Sequence, residues 1–377
     1  MQKLMKKSSL PAYRRSVLLV AAALFAGAVH ADDLPDMFKV SGFGTLGTVH
    51  NSLHTGDYVA DVFQPNGAGY THSSAYGVDS KLALQLDAKL SENLSAVVQM
   101  VSRYRVNRNY LPSVEWANIK YAITPELSVR VGRTAMPTFM NSETRLVGYA
   151  NPWIRPPIET YSLRSTTNAD GIDVSYRRAF GAVNNTTQVW YGKTEVASVA
   201  YTGGVSNGVR ATKIIGVADT IDYGALMMRA GVTAIDFRLN GAAGTFIYAK
   251  ANVYNLGATY DPGTWFVMGE WTKTDFGAIQ RAQQAKYVTA GYRWNKFTPY
   301  VTYSRVGVDD NQVKLALRAQ DTKSAGLRWD FMKSMSLKVQ FDQVQLDAGS
   351  AGFFTNAKTG LAGSEAKVLS AAVDFVF

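Results

Sequence analysis

Residues 78–90 read VDSKLALQLDAKL, and the order of polar and apolar side chains there decides the fold. Val78, Ser80, Leu82, Leu84, Leu86, Ala88 and Leu90 share one face of an extended strand. Asp79, Lys81, Ala83, Gln85, Asp87 and Lys89 share the other. A period of two sustained this long predicts a strand with one apolar face. A helix would scatter the same charges around its circumference.

The same arithmetic recurs on both sides of this stretch. Leu94, Ala96, Val98 and Met100 oppose Gln99, Arg103 and Arg105, and Ile119 and Tyr121 oppose Asn118 and Lys120. Val129 and Val131 oppose Arg130; Leu337, Val339 and Phe341 oppose Lys338, Gln340 and Asp342. At the far end, Leu369, Ala371, Val373, Phe375 and Phe377 oppose Ser370, Ala372 and Asp374. Sixteen strands are predicted, over 37–48, 75–90, 93–107, 113–123, 127–135, 169–178, 185–192, 211–219, 222–235, 250–260, 264–273, 286–294, 297–306, 320–330, 335–346 and 365–377. Signals are weakest over 185–192 and 211–235. Short turns such as Asp261-Pro262-Gly263, Asn295-Lys296 and Lys333-Ser334 carry turn-forming residues. The long polar connections, 49–74, 193–210, 274–285 and 347–364, take turns with them. That rhythm predicts up-and-down strands with the long loops gathered at one end.

A soluble β-sandwich also alternates, with one face in a dry core. Here the polar faces hold many full charges, which a dry core excludes. A water-filled lumen accepts them, and apolar outward faces with Tyr, Phe and Trp near strand ends suit lipid. The expected fold is therefore an all-β, transmembrane antiparallel barrel over residues 32–377. In lipid an open sheet edge is costly, so the last strand is expected to pair with the first.

Residues 1–31 fit an export signal. Lys3, Lys6, Lys7, Arg14 and Arg15 precede the apolar run Val17–Gly27, and Ala28-Val29-His30-Ala31 supplies small residues for cleavage. Removing it leaves 34 basic and 29 acidic side chains, so the net charge falls from +10 to +5. That balance gives no support to a nucleic-acid partner. There is no cysteine, hence no disulfide framework.

The export signal, the strand spacing, the terminal Phe377 and the stretch VRVGRTAMPTFMNSETRLVGYANPWIRPPIETYSLRSTTNADGIDVSYR, residues 129–177, together resemble the general porins of Gram-negative outer membranes. The likeness is nearest to the β-proteobacterial porins. The resemblance implies a homotrimer of sixteen-stranded barrels in the cell outer membrane, among lipid and lipopolysaccharide. It implies a third loop folded into the pore and a C-terminal phenylalanine, Phe377, read as an assembly signal by the barrel assembly machinery. It also implies passive diffusion of small hydrophilic solutes and ions. The third loop lacks the family's acidic PEFGG-like motif and carries Asn151-Pro152-Trp153 and Pro156-Pro157 instead.

Two groups of residues are candidates for setting the pore. Lys39, Lys81, Arg103, Arg105, Lys120 and Arg130 would form a basic wall on the early strands; either phase is open for Lys39 in its glycine-rich strand. Glu143, Arg145, Tyr149, Trp153, Arg155, Glu159 and Arg164 would lie on the pore loop, stiffened by Pro137, Pro152, Pro156 and Pro157. Asp79, Asp87, Glu115 and Asp173 share the interior, so only a modest anion preference is expected. Catalysis is not expected: His50, His54 and His72 lie in or beside one loop, and no nucleophile elbow or triad order appears. No cofactor or metal is expected. A structural or adhesive barrel, or a channel selective for small organic acids, remains an alternative reading.

Overall fold

A computed structural model describes residues 36–61, 63–106, 108–162, 167–196, 199–201, 204–206, 208–240, 246–277, 282–308 and 318–377. The expected export segment, 1–31, and Arg164 lie outside the described residues. The alternating stretches form sixteen antiparallel barrel strands. They are β1 Phe38–Asn51, β2 Lys81–Lys89, β3 Leu94–Arg103, β4 Ser113–Ala122, β5 Leu127–Ala135, β6 Asn168–Phe180, β7 Val183–Val196 and β8 Val209–Tyr223. The second half comprises β9 Leu226–Asn240, β10 Phe246–Tyr260, β11 Trp265–Asp275, β12 Gln283–Tyr292, β13 Phe297–Val308, β14 Gln320–Met332, β15 Met335–Leu346 and β16 Glu365–Val376.

Neighbours in sequence pair in space, and the ring closes. Phe38 to Thr45 of β1 pair with β2, while Phe43 to Asn51 pair with β16. Closure satisfies every edge, which is the condition for a sheet to sit in lipid. Outward residues such as Leu84, Val98, Ile119, Val131, Leu256, Val301 and Val339 are exposed apolar side chains, and together they form the lipid-facing band. Gly44 lies directly opposite Phe375 and Gly326 directly opposite Tyr300. A methyl group at either glycine would overlap the facing ring, so the glycine is the seat of that aromatic.

The predicted count of sixteen holds, with shifted ends. β7 and β8 run beyond the predicted 185–192 and 211–219 because the hydrogen-bond ladder continues to Val196 and Val209 after the apolar alternation fades. β2 starts at Lys81 rather than 75. The preceding pair Ser74–Ala75 bonds instead to the top of β1. Turn residues Asn295 and Ser334 adopt positive φ, 52° and 64°, at the short-turn end.

The long connections do gather at the opposite end. The first, 52–80, and the eighth, 347–364, interlock there. Asp57 bridges Thr355 through the backbone and accepts from Asn356 Nδ2 at 2.6 Å. Tyr58, Phe353, Phe354 and Leu361 pack against inward Val49, Val344, Leu346 and Val368. The interior of the barrel therefore holds a dry core on the β15–β16–β1 flank.

Candidate functional site

The third connection, 136–167, enters the barrel. Its entry is set by Pro137, whose carbonyl accepts from Arg229 Nη2 at 2.5 Å, and by Met136, packed with Trp190 and Ile214. Pro157 opens a single helical turn, Ile158–Tyr161. Gly148 sits so close to Asp374 that a Cβ would lie 2.0 Å from its carboxylate oxygen. Only glycine allows the loop that near the wall.

One face of the loop is bonded to the late strands by groups that water does not reach. The Lys338 ammonium, fully buried, donates to the carbonyl oxygens of Gly148, Asn151 and Trp153 at 2.7–2.8 Å and pairs with Asp374 at 2.9 Å. Trp153 is 2 % exposed; its indole donates to Thr289 and Thr302, and its ring meets Tyr287 edge-on. Arg155 grips Asp79 with two bonds of 2.8 and 2.7 Å and reaches Asp342 at 3.1 Å and Ser370 at 2.6 Å. Glu159 accepts from Ser304, Gln320 and Thr322 at 2.5–2.7 Å. Glu270 accepts from the Met140 amide and the Tyr161 hydroxyl, each at 2.7 Å. Arg328 donates to Tyr149 and Asn151 carbonyls and stacks over the Tyr149 ring.

The opposite face looks toward β1–β7: Leu146 and Val147 pack on Phe43, Ala83 and Val101, and the loop's ion pairs to this wall are few. Glu143 meets Arg130 at 3.0 Å, with the two side chains 48 % and 24 % exposed. Arg130 also pairs with Asp173 at 2.9 Å. Arg145 approaches Glu115 at 3.8 Å. Above them Arg103 binds Asp61 of the first connection and Glu115, and Arg105 binds Glu115 at 2.8 Å. Phe63 covers both guanidinium groups at 5.4 Å. Around Glu115 three arginines share two carboxylates, so the cluster keeps a positive surplus. Burial, with the charge of neighbouring Arg103, lowers Arg145 to about 10 against the opposing pull of Glu115 and Asp61.

Five of the six predicted basic residues fall on the inward phase of their strands; Arg105 lies just past the end of β3. Lys39 faces Asp87 directly across β1 and β2, and Lys120 faces Arg130 across β4 and β5. Lys120 is exposed, whereas Lys81 donates to the Asp79 carbonyl and Arg103 is buried. Within the loop the structure separates the predicted set. Glu143 and Arg145 lie toward the early strands; Tyr149 stacks on Arg328 of the late strands, and Trp153, Arg155 and Glu159 turn into that wall rather than toward water. Burial pulls the Arg155 charge down, but Asp79 and Asp342 outweigh it and hold the guanidinium well above its usual range. Burial raises Glu159, against the three donors that favour its charge.

Sequence reading did not single out Lys338, Glu270, Arg328, Asp342 or Asp374 as site residues. A signal existed: each is a charge in the inward phase of an otherwise apolar alternation. The loop's path, which gives them their partners, left no periodic mark. His50 and His54 bond separately to Ser74 and Gly69, and no group of three or more metal-type ligands occurs among the described residues.

The arrangement puts the loop inside a charged lumen: buried multiple bonds hold it to the late strands, and ion pairs with the apolar contact of Leu146 and Val147 join it to the early ones. No family model and no curated protein sequence matches this chain. Solved structures do. The anion-selective porin of Comamonas acidovorans aligns with TM-score 0.57 at 14% identity, covering 90% of this chain and 100% of that one. The outer membrane channel DcaP of Acinetobacter baumannii gives 0.59 at 13%, covering 90% and 97%. OmpF of Salmonella typhi, solved in complex with daunomycin, gives 0.56 at 14%, covering 90% and 97%. At these identities the likeness establishes the fold.

Proposed function

We propose that this chain is an outer-membrane porin, forming a water-filled channel for passive diffusion of small hydrophilic solutes and ions. The observation that carries the reading is the lumen itself: a closed lipid-facing ring encloses a charged interior that the third loop enters. Diffusion needs such a path, since ions cross where polar groups replace part of their hydration.

A modest anion preference follows from the same wall. Lys39, Lys81, Lys120 and Arg130, with Arg103, Arg105 and Arg145 above them, outnumber Asp87, Asp61, Glu115, Asp173 and Glu143 around the open side. In a narrow aqueous pore these charges are screened less than in bulk water. The anion-selective Comamonas structure is a likeness that supports the same sign here.

We also propose a homotrimer. The aromatic residues that mark a membrane interface are dense outside β6–β14, as in Tyr176, Tyr254, Trp265, Trp271, Tyr292 and Trp329. Outside β1–β4 the exposed residues are mainly Leu46, Leu84, Leu86, Val98, Met100 and Ile119. A sector poorer in interfacial aromatics, with Tyr121 its exposed one among these strands, suits contact with another barrel. Phe377, whose backbone pairs with Gly42, would serve as the signal to the barrel assembly machinery.

Single channels in planar bilayers test the reading. The expected result is stepwise conductance and, across a salt gradient, a reversal potential of anionic sign that shrinks at high salt. A folded, inserted protein without conductance would assign the barrel a structural or adhesive role.

A further inference from the structure

The first connection meets the arginines at the top of β3 through Asp61 and Phe63. One Asp61 carboxylate oxygen accepts from Arg103 Nη1, and the other accepts from the Phe63 amide at 2.6 Å. That local turn holds the carboxylate and the ring beside each other. The Phe63 ring centre lies 5.4 Å from the Cζ atoms of both Arg103 and Arg105. The chain on either side is fastened elsewhere. Ser162 Oγ donates to the Ala60 carbonyl at 2.8 Å, and Gln64 donates to the Gly77 and Val78 carbonyls at 3.1 and 2.7 Å. The course of the loop thus has holds that do not involve the arginines.

The cluster beneath is short of acceptors. Glu115 lies 3.5 Å from Arg103, 2.8 Å from Arg105 and 3.8 Å from Arg145, so one carboxylate is spread over three guanidinium groups. Nε of Arg103 and Nε of Arg105 are buried and make no hydrogen bond among the described residues. Arg103 as a whole is only 6 % exposed. A buried donor left without an acceptor is costly, and more so when it is charged. Glu115 belongs to the wall: it stands on β4 and also accepts from Asn168 at 3.2 Å. Asp61 comes from a connection, and its side chain is 20 % exposed against 4 % for Glu115. Of the two anions, Asp61 is the one that rotation of a side chain can remove.

We infer that Arg103, Arg105 and Arg145 form a binding site for an aromatic carboxylate, and that Asp61 with Phe63 fills it as the chain's own imitation of that solute. A benzoate-like molecule brings the same two parts at once: a carboxylate for guanidinium donors and a flat ring for guanidinium faces. It brings more than Asp61 does. Asp61 keeps one oxygen for the Phe63 amide, whereas a free carboxylate offers both oxygens, enough to reach the idle Nε donors. The inference rests on the channel reading above and deepens it by naming a solute class. A solute arriving from the long-loop end displaces a tethered competitor before it meets Glu143 and Arg130.

The test is isothermal titration calorimetry of the purified protein in detergent, with sodium benzoate and sodium acetate as probes. Wild type is compared with Asp61→Asn and with Arg105→Gln. Asparagine keeps an oxygen for the Phe63 amide and loses the charge that competes. A site that its own loop fills about nine times in ten binds roughly tenfold more weakly than a free one. Asp61→Asn should therefore bind benzoate roughly tenfold more tightly than wild type. Arg105→Gln should bind it roughly tenfold more weakly, through loss of a charge-assisted partner and a ring contact. The opposite signs matter, because a general loosening of the fold would weaken both variants. Acetate should bind more weakly than benzoate to all three proteins. Benzoate binding that Asp61→Asn leaves unchanged or weakens would overturn the tethered competitor. Acetate binding as tight as benzoate would overturn the part given to the ring, and no benzoate binding by any of the three would overturn the site. Calorimetry needs no current, so a silent channel would count against the channel reading alone, and a missing benzoate signal against this inference alone.

Discussion

The two faces of the third loop are built from the same residue types and behave as opposites. Toward β11–β16, Lys338, Arg155, Glu159 and Trp153 are buried, and each makes two or more bonds to the facing segment. Toward β2–β7, Glu143 and Arg130 meet across a half-exposed gap. Charge type does not distinguish them; the number of bonds to the loop, and the exposure of the Glu143–Arg130 pair, do. Breaking a buried, multiply bonded ion pair strands the partner's charge and costs about 3–5 kcal/mol. An exposed pair contributes about 0–1 kcal/mol. The first face therefore fixes the loop more firmly than the second, and the proposed path runs beside Glu143 and Arg130.

The largest expected effect breaks the anchored face. Arg155→Ala strands Asp79 and Asp342 together, and should lower the stability of the folded barrel by about 3–5 kcal/mol in denaturant titration. Its channels should also flicker, because the loop loses its grip on β15 and β16. A variant as stable as wild type, with quiet channels, would remove the anchor from the account.

Next comes the sign of the open wall. Lys120→Gln and Arg130→Gln together remove two facing cations while Asp173 and Glu143 remain. The reversal potential in a salt gradient should move toward cations. An unchanged potential would mean that ions do not pass along β4 and β5.

A smaller effect belongs to the gap itself. Glu143→Gln weakens the link to Arg130 without touching the anchored face. Stability should change by less than about 1 kcal/mol, and conductance should rise less than twofold. A large loss of stability would show that both faces fix the loop.

The smallest effect is pH dependence at Glu159. Burial raises its folded value above the ordinary carboxylate range. Its contribution is then fully present below the unfolded value and is lost as pH rises through the folded one. Thermal stability should fall across that window in wild type, and the slope should flatten in Glu159→Gln. An identical slope in both proteins would assign the dependence to other groups.

How much of this the sequence disclosed follows the same division. Strands were legible because period two is a local property: VDSKLALQLDAKL names its inward and outward residues without knowing its neighbours. The inward phase of Lys120, Arg130 and Lys338 was legible for the same reason. Strand ends near 190–240 were not, since β7–β9 extend past the apolar alternation on backbone bonds alone. Which side of the loop met which wall was hidden as well. Trp153 and Arg155 are two residues apart in an irregular segment, and Asp79, Thr289 and Asp342 reach them from three distant parts of the chain. No spacing rule connects such partners.

The central claim is that water runs along the β2–β7 side of a loop fixed to the other wall. The most direct test uses the absence of native cysteine. Glu143→Cys and Trp153→Cys proteins are placed in planar bilayers and exposed to a bulky, water-soluble thiol reagent while single channels are recorded. The account predicts a stepwise drop in current at position 143 and no reaction at position 153. Current that falls at 153 and not at 143 would place the path on the side assigned here to the anchor.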